Sequence, residues 1–409
     1  MMPHSNTPPS SPRNLDEIME DDDNEEEDIV EVIDIDDTEN AEENESDSAS
    51  STEEPPPPDI SKMVFSKHHG PVFCCSLEPK EGTLAVTGGQ DDRGLVWNIE
   101  SGEIVLECND HHDSVTHVEF NHDGTYVATG DISGTVQVWK LATKACVWKT
   151  QVGDIVWLKW HHGANVLVAG TLDGDVYVWK IPSGETKVLP GHGSRLECGV
   201  IMPDGKRCVV TYRDSSIKVF DMKSTSVIHH IKPVAPAIDG FTCIDAHNDN
   251  IVVIAGTYSG QAVLITTQSG KVVGMLNCSL PSGDSSEEDT SVESVAFYKS
   301  GDLSIAATGS LDGTFIIWDT VHQSIRHAMK LDFGIVKLQW HKKKPLVFVA
   351  GLKGRIEVYD GLSGTLKWKL TGHSEDILDF CMNNSTLVSG SDDMSARVFS
   401  LLPLTMNVV

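Results

Sequence analysis

Long apolar runs are missing from this 409-residue chain. No stretch reaches the ~18–20 apolar residues that a membrane-spanning helix needs. The N-terminus lacks the basic region and apolar run of a secretory signal. None of the nine cysteines belongs to a CxxC pair. They fall mostly on expected strands, which suits reduced, buried thiols in a cytoplasmic protein with passage through the nucleus open to it. No phosphate-cradling glycine loop precedes a helix, and no Cys/His cluster has metal-ligand spacing. Neither a cofactor nor a metal is expected. Basic residues are scarce: the formal net charge is −30. Residues 1–58 hold 21 acidic residues against one basic residue, Arg13, leaving 40 acidic and 30 basic residues for the rest. The one short basic run is Lys342-Lys343-Lys344. That is too little for the basic footprint of a nucleic-acid binder.

Aromatics are almost absent from the first 58 residues, which are rich in Ser, Pro, Asp and Glu. Such a segment cannot bury enough apolar surface to offset its ordering entropy, so residues 1–60 read as a disordered acidic tail. One island, Ile29 to Asp36, interleaves aliphatic and acidic residues and has the form of a short linear motif. From residue 61 to 402 short β-branched strands alternate with Gly/Asp/Ser turns. Units close on an aromatic: Trp97, Trp139, Trp179, Phe220, Trp318, Tyr359 and Phe399, with a weaker closure at Ile265. A period of ~40–45 residues with this ending is similar to WD40 propeller blades. The expectation is an all-β propeller of eight blades, with an acidic loop insertion at 279–291 and a short tail at 403–409. The last unit has only three strands of its own, and Lys62–Ser66 is positioned to supply the fourth and close the ring.

His, Ser/Thr, Asp and Trp recur at fixed repeat positions, as in the hydrogen-bonded tetrads of WD40 blades. The expected members are His68, Asp91 and Trp97; His111 and Trp139; Asp173 and Trp179; His192 and Asp214; Asp312 and Trp318; His373 and Asp393. Thr87, Thr308 and Ser389 supply hydroxyls. Unit two has Ser133 where Asp is expected, unit five Ser259 and unit seven Lys353. A hydrolase needs one such constellation, not a partial copy per repeat, so these groups read as scaffold and no catalytic residue is expected. The adjacent pairs His111-His112, His161-His162 and His229-His230 point to opposite faces of their strands and cannot readily share a metal.

The segments TLAVTGGQDDRGLVWNIESGE, GDIVWLKWH and PDGKRCVVTYRDSSIKVFD resemble the angio-associated migratory cell protein family, as does the IVEVIDIDD motif. The likeness runs in order from Ile29 to Phe399. It implies a non-enzymatic chaperone. The fungal relative captures the N-terminal segment of a new, basic large-subunit ribosomal protein, the universal L-sixteen protein, and escorts it to the pre-60S particle. A cytosolic scaffold in signalling or migration is the alternative. A ubiquitin-ligase receptor is disfavoured, because no Trp-Asp-type closure is followed by the adaptor-docking Arg. By repeat register, the partner face comprises Asp92, Asp113, Asp131, Asp154, Asp175, Glu197 and Asp376, with Trp157 and Tyr258 as aromatic contacts. Reversing Asp131 and Asp154 is expected to weaken binding without unfolding the ring. The sequence does not address oligomeric state; a monomer is the default expectation.

Overall fold

The computed structural model describes residues 58–232, 238–280 and 290–402. The expected acidic tail except its last three residues, the Ile29–Asp36 island, most of the expected insertion and the tail from 403 lie outside the described residues. Eight four-stranded antiparallel sheets form, seven from one repeat each with strands paired in chain order and the eighth from the three strands of the last repeat plus a strand from the start of the ring. In blade 1 the strands are Val72–Leu77, Leu84–Gly89, Gly94–Asn98 and Ile104–Cys108.

The residue pattern within a blade follows from its place in the ring. Middle strands have a neighbouring blade on each face, so they are apolar nearly throughout; Leu346–Gly351 is buried at every position. Outermost strands have one wet side and alternate, as in Lys271–Asn277. Eight apolar cores result, each between two adjacent blades. The aromatic closures belong to these cores: Trp97 packs in the blade 8–1 core, Trp179 in the blade 2–3 core and Phe399 in the blade 7–8 core. Stability is therefore a chain of nearest-neighbour interfaces, completed only by closing the circle.

Closure comes from Met63–Phe65, which pairs antiparallel with Ala396–Ser400. Lys62 N–H donates to the Val398 carbonyl at 2.7 Å. Phe65 stacks on Trp97 with ring centroids 4.2 Å apart. The strand expected at Lys62–Ser66 thus completes blade 8 and packs onto blade 1.

All eight inner strands carry a bulge at their second residue, between Val72 and Cys74 in blade 1 and at the same position elsewhere. Residues flanking the bulge, such as Leu196 and Val292, enter the cores, which leaves the bulged residue facing the central channel. Those residues are Phe73, Thr116, Val156, Glu197, Thr242, Glu293, Val336 and Leu378. The mouth is apolar across blades 7, 8 and 1 and polar across blades 4, 5 and 6. Below it, the inner strands are sheet edges with unpaired N–H groups. Side chains of the preceding blade satisfy several: Glu119 accepts from Trp160 N at 2.6 Å, Asp245 from Phe297 N at 2.8 Å and Asp379 from Cys75 N at 2.8 Å.

Candidate functional site

Entries to the inner strands and turns between second and third strands share one end of every blade, here the upper face. Its scaffold is clearest in blade 1. Thr87 sits on the second strand, one strand away from Trp97, while His68 lies at the entry to the inner strand. His68 Nδ1–H donates to Asp91 at 2.9 Å, and the ring's Nε2 accepts the Thr87 hydroxyl at 2.8 Å. Thr87 Oγ1 in turn accepts the Trp97 indole N–H at 3.3 Å. Every polar group in this buried set has a partner, which its desolvation requires. Blade 8 repeats the set with His373, Asp393 (2.8 Å) and Ser389 (2.8 Å), while Phe399 replaces Trp. Burial opposes the Asp393 charge, but the His373 hydrogen bond and Ser395 outweigh it and hold the carboxyl well below its usual range. Burial also depresses the His373 imidazole, against the pull of Asp393.

Blade 2 corrects one expectation. His111 bonds Asp131 at 2.9 Å and Thr129 at 2.7 Å. Asp131 ends the second strand (Tyr126–Asp131), two residues before the position of Asp91, and fills the role that Ser133 leaves open. It has no solvent exposure, so it is scaffold and cannot form part of a partner face. Charge reversal there would break the blade. The signal was readable: an Asp two residues after Thr129 reaches the same imidazole as one four residues after Thr87. Trp139, expected to join this network, is half-buried, and its indole N–H has no hydrogen bond.

The network fails in the middle of the ring. The hydroxyl-bearing position of Thr87 is Ala169 in blade 3, Val210 in blade 4, Ala255 in blade 5 and Val349 in blade 7. Blade 3 has Gln151 four residues before its inner strand, where blades 1, 2, 4 and 8 have a histidine; Asp173 is exposed and bonds no imidazole. Trp179 is held by packing against Trp148 and Tyr177. In blade 4 His192 keeps Asp214 at 2.9 Å and adds Ser216 at 3.1 Å, but both His192 and Asp214 are partly exposed. In blade 6 Thr308 accepts the Trp318 indole at 2.9 Å, while Asp312 bonds Thr314 and Lys330 instead of a histidine.

The upper face therefore carries carboxylates of two kinds. Asp91, Asp131 and Asp393 are consumed inside the blades. Asp92, Asp154, Asp173, Asp214, Asp239, Asp332 and Glu375 are exposed, and Asp113, Asp175 and Asp376 are partly so. Some of these also hold loops: Asp175 accepts from Gly191 N at 2.7 Å and Asp376 from Lys353 N at 2.8 Å. Among the described residues, Lys67, Arg195, Arg213, Lys232 and Lys353 are exposed cations of the same turns, and the carboxylates outnumber them. Lys342–Lys344 lies on the turn between Ile335–Trp340 and Leu346–Gly351, at the opposite face.

Trp157 is a second correction. It is 7 % exposed and lies against Gly170 and Gly199, the two sites where a side chain would collide with its ring. Its bulk replaces the missing Cβ atoms of two neighbouring strands, so it fills core and offers no aromatic surface. Tyr258 is exposed at 38 %, as expected. Glu197 faces the channel mouth, yet its side chain is only 6 % exposed. Arg213 lies over the Tyr258 ring at 4.6 Å, and Tyr258 donates to Glu197 Oε2 at 3.4 Å. Burial, then Glu197, raises the Tyr258 hydroxyl above its ordinary value. Arg213 and Asp239 were not singled out by repeat register, because their role comes from meeting across the blade 4–5 seam.

Comparison with known proteins agrees with this architecture. The WD domain, G-beta repeat family matches residues 102–140, 184–221, 282–319 and 364–400. The chain is 40% identical over 349 residues to human angio-associated migratory cell protein, covering 83% of this chain and 80% of that protein. It is 23% identical over 359 residues to ribosome assembly protein SQT1 of Saccharomyces cerevisiae, covering 80% of this chain and 81% of that one. The crystal structure of Chaetomium thermophilum Sqt1 bound to the N-terminus of the ribosomal protein L10 superposes with a TM-score of 0.74 at 21% identity, over 84% of this chain and 100% of that one.

Proposed function

Because this chain belongs to the angio-associated migratory cell protein family, we propose that it is a chaperone for a basic large-subunit ribosomal protein. It holds the N-terminal segment of that client on the upper face of the propeller, in the cytoplasm, until assembly. The observation that carries this reading is the set of upper-face carboxylates left uncommitted by the scaffold, Asp92, Asp154 and Asp173 among them. A Lys/Arg-rich segment aggregates or binds RNA when free; a face of fixed negative charge neutralises it and speeds capture. The relationship to ribosome assembly protein SQT1 supports the same class of client.

The test is purification of the tagged full chain from translating cells. One basic ribosomal protein in near-equal amount is the expected outcome; a mixed set of signalling proteins would overturn the reading. Binding of an N-terminal client peptide should also weaken steeply with salt, since exposed charges more than about 8 Å apart are screened at physiological ionic strength.

A further inference from the structure

General acidity does not explain the channel mouth between blades 4 and 5. Glu197 is the bulged residue of the inner strand Leu196–Ile201. Its Oε2 accepts the Tyr258 hydroxyl, but the buried Oε1 has no hydrogen bond. Two guanidinium groups approach that oxygen without bonding it, Arg195 at 3.7 Å and Arg213 at 3.9 Å. Arg213 is half-exposed, lies over the Tyr258 ring and sits 3.9 Å from Asp239. A carboxylate this buried gains most from a close, hydrogen-bonded cation. Arg213 stays 3.9 Å from that oxygen and is shared with Asp239.

We propose that Glu197, Tyr258 and Asp239 form a subsite for one arginine side chain of an incoming basic segment, and that Arg213 occupies it in the free protein as a built-in competitor. This rests on the reading that the upper face takes a basic client. An arginine on a flexible segment can enter deeper than Arg213, present two N–H groups to Glu197 and keep its plane on the Tyr258 ring. Arg213 then swings into solvent. Lysine has no plane to stack and no fork, so the subsite discriminates between the two cations.

The test is fluorescence anisotropy on the full chain at fixed ionic strength, with two labelled peptides of equal length and charge, one built on Arg and one on Lys. Wild type should prefer the Arg peptide by about tenfold, the scale of a partly desolvated cation–π contact. Arg213→Ala should tighten the Arg peptide several-fold more than Lys353→Ala, which removes the same charge elsewhere on the face. Tyr258→Ala and Glu197→Gln should erase the preference, and Tyr258→Phe should keep most of it. If Glu197→Gln melts early, Arg213→Ala and Tyr258→Ala, both at exposed residues, carry the test. Equal affinity for the two peptides, or equal effects of Arg213→Ala and Lys353→Ala, would overturn the subsite while leaving the client reading intact. Binding of neither peptide by wild type would overturn both.

Discussion

Blades 8, 1 and 2 keep a buried histidine bonded to both an aspartate and a second-strand hydroxyl, whereas blades 3 and 4 have lost that hydroxyl and opened the aspartate to solvent. The two regions share a fold, an inner-strand bulge and equally well-packed cores. The polar network therefore does not make a blade. It does decide what an upper-face aspartate is free to do. Where a buried imidazole holds it, the carboxylate is spent; where none does, it faces solvent and adds to the field that meets a partner. The intact blades also flank the seam where the N-terminal strand closes the ring, the one junction not made by consecutive chain.

The largest expected break in this comparison comes from charge reversal on the two sides. Asp131→Lys should cost about 3–5 kcal/mol or abolish folding, because it strands His111 and buries an ammonium. Asp173→Lys should stay within about 0.5 kcal/mol and instead weaken basic-peptide binding. Urea unfolding monitored by tryptophan fluorescence separates the two. Equal losses would mean that the networks are not what divides the blades.

Next in size are the hydroxyl positions. Thr87→Val removes a partner of both His68 and Trp97 and should cost about 2–3 kcal/mol; Thr308→Val strands the Trp318 indole and removes only a weak contact to the Cys278 thiol, and should cost about 1 kcal/mol. The same unfolding curves check the order.

The smallest effect is that of pH. Burial, opposed by Asp131 and Asp393, lowers His111 and His373 below their ordinary 6.5. The folded state then favours the neutral ring, and the unfolded chain binds more protons. Their contribution is present above about pH 6.5 and is lost as pH falls through the folded values. Asp91, Asp131 and Asp393, all lowered from 3.8, add a second loss below that value. Thermal melts between pH 7.5 and 5 should show a slope that His111→Asn with His373→Asn flattens.

Much of this was legible before any coordinates. Periodic closures at Trp97 through Phe399 specified eight four-stranded units, because a strand buried on both faces must be apolar and a turn must carry Gly or Asp. The three-stranded last unit called for a closing strand, and Met63–Phe65 supplies it. Scaffold histidines were legible in blades 1 and 8, where the aspartate follows the hydroxyl residue by four positions, Thr87 to Asp91 and Ser389 to Asp393. Repeat register failed at Asp131, where the carboxylate moved two residues along the strand, and at Trp157, whose burial depends on glycines 13 and 42 residues away.

Sequence alone determined the ring and its acidic balance and pointed to eight blades, since each depends on local patterns along the chain; the structure fixed the count at eight. Tertiary structure decided which carboxylates are spent and which are free, and brought Glu197, Arg213, Asp239 and Tyr258 together across a seam. The reason is geometric: burial and ion pairing depend on what the neighbouring blade presents, and that neighbour lies about forty residues away.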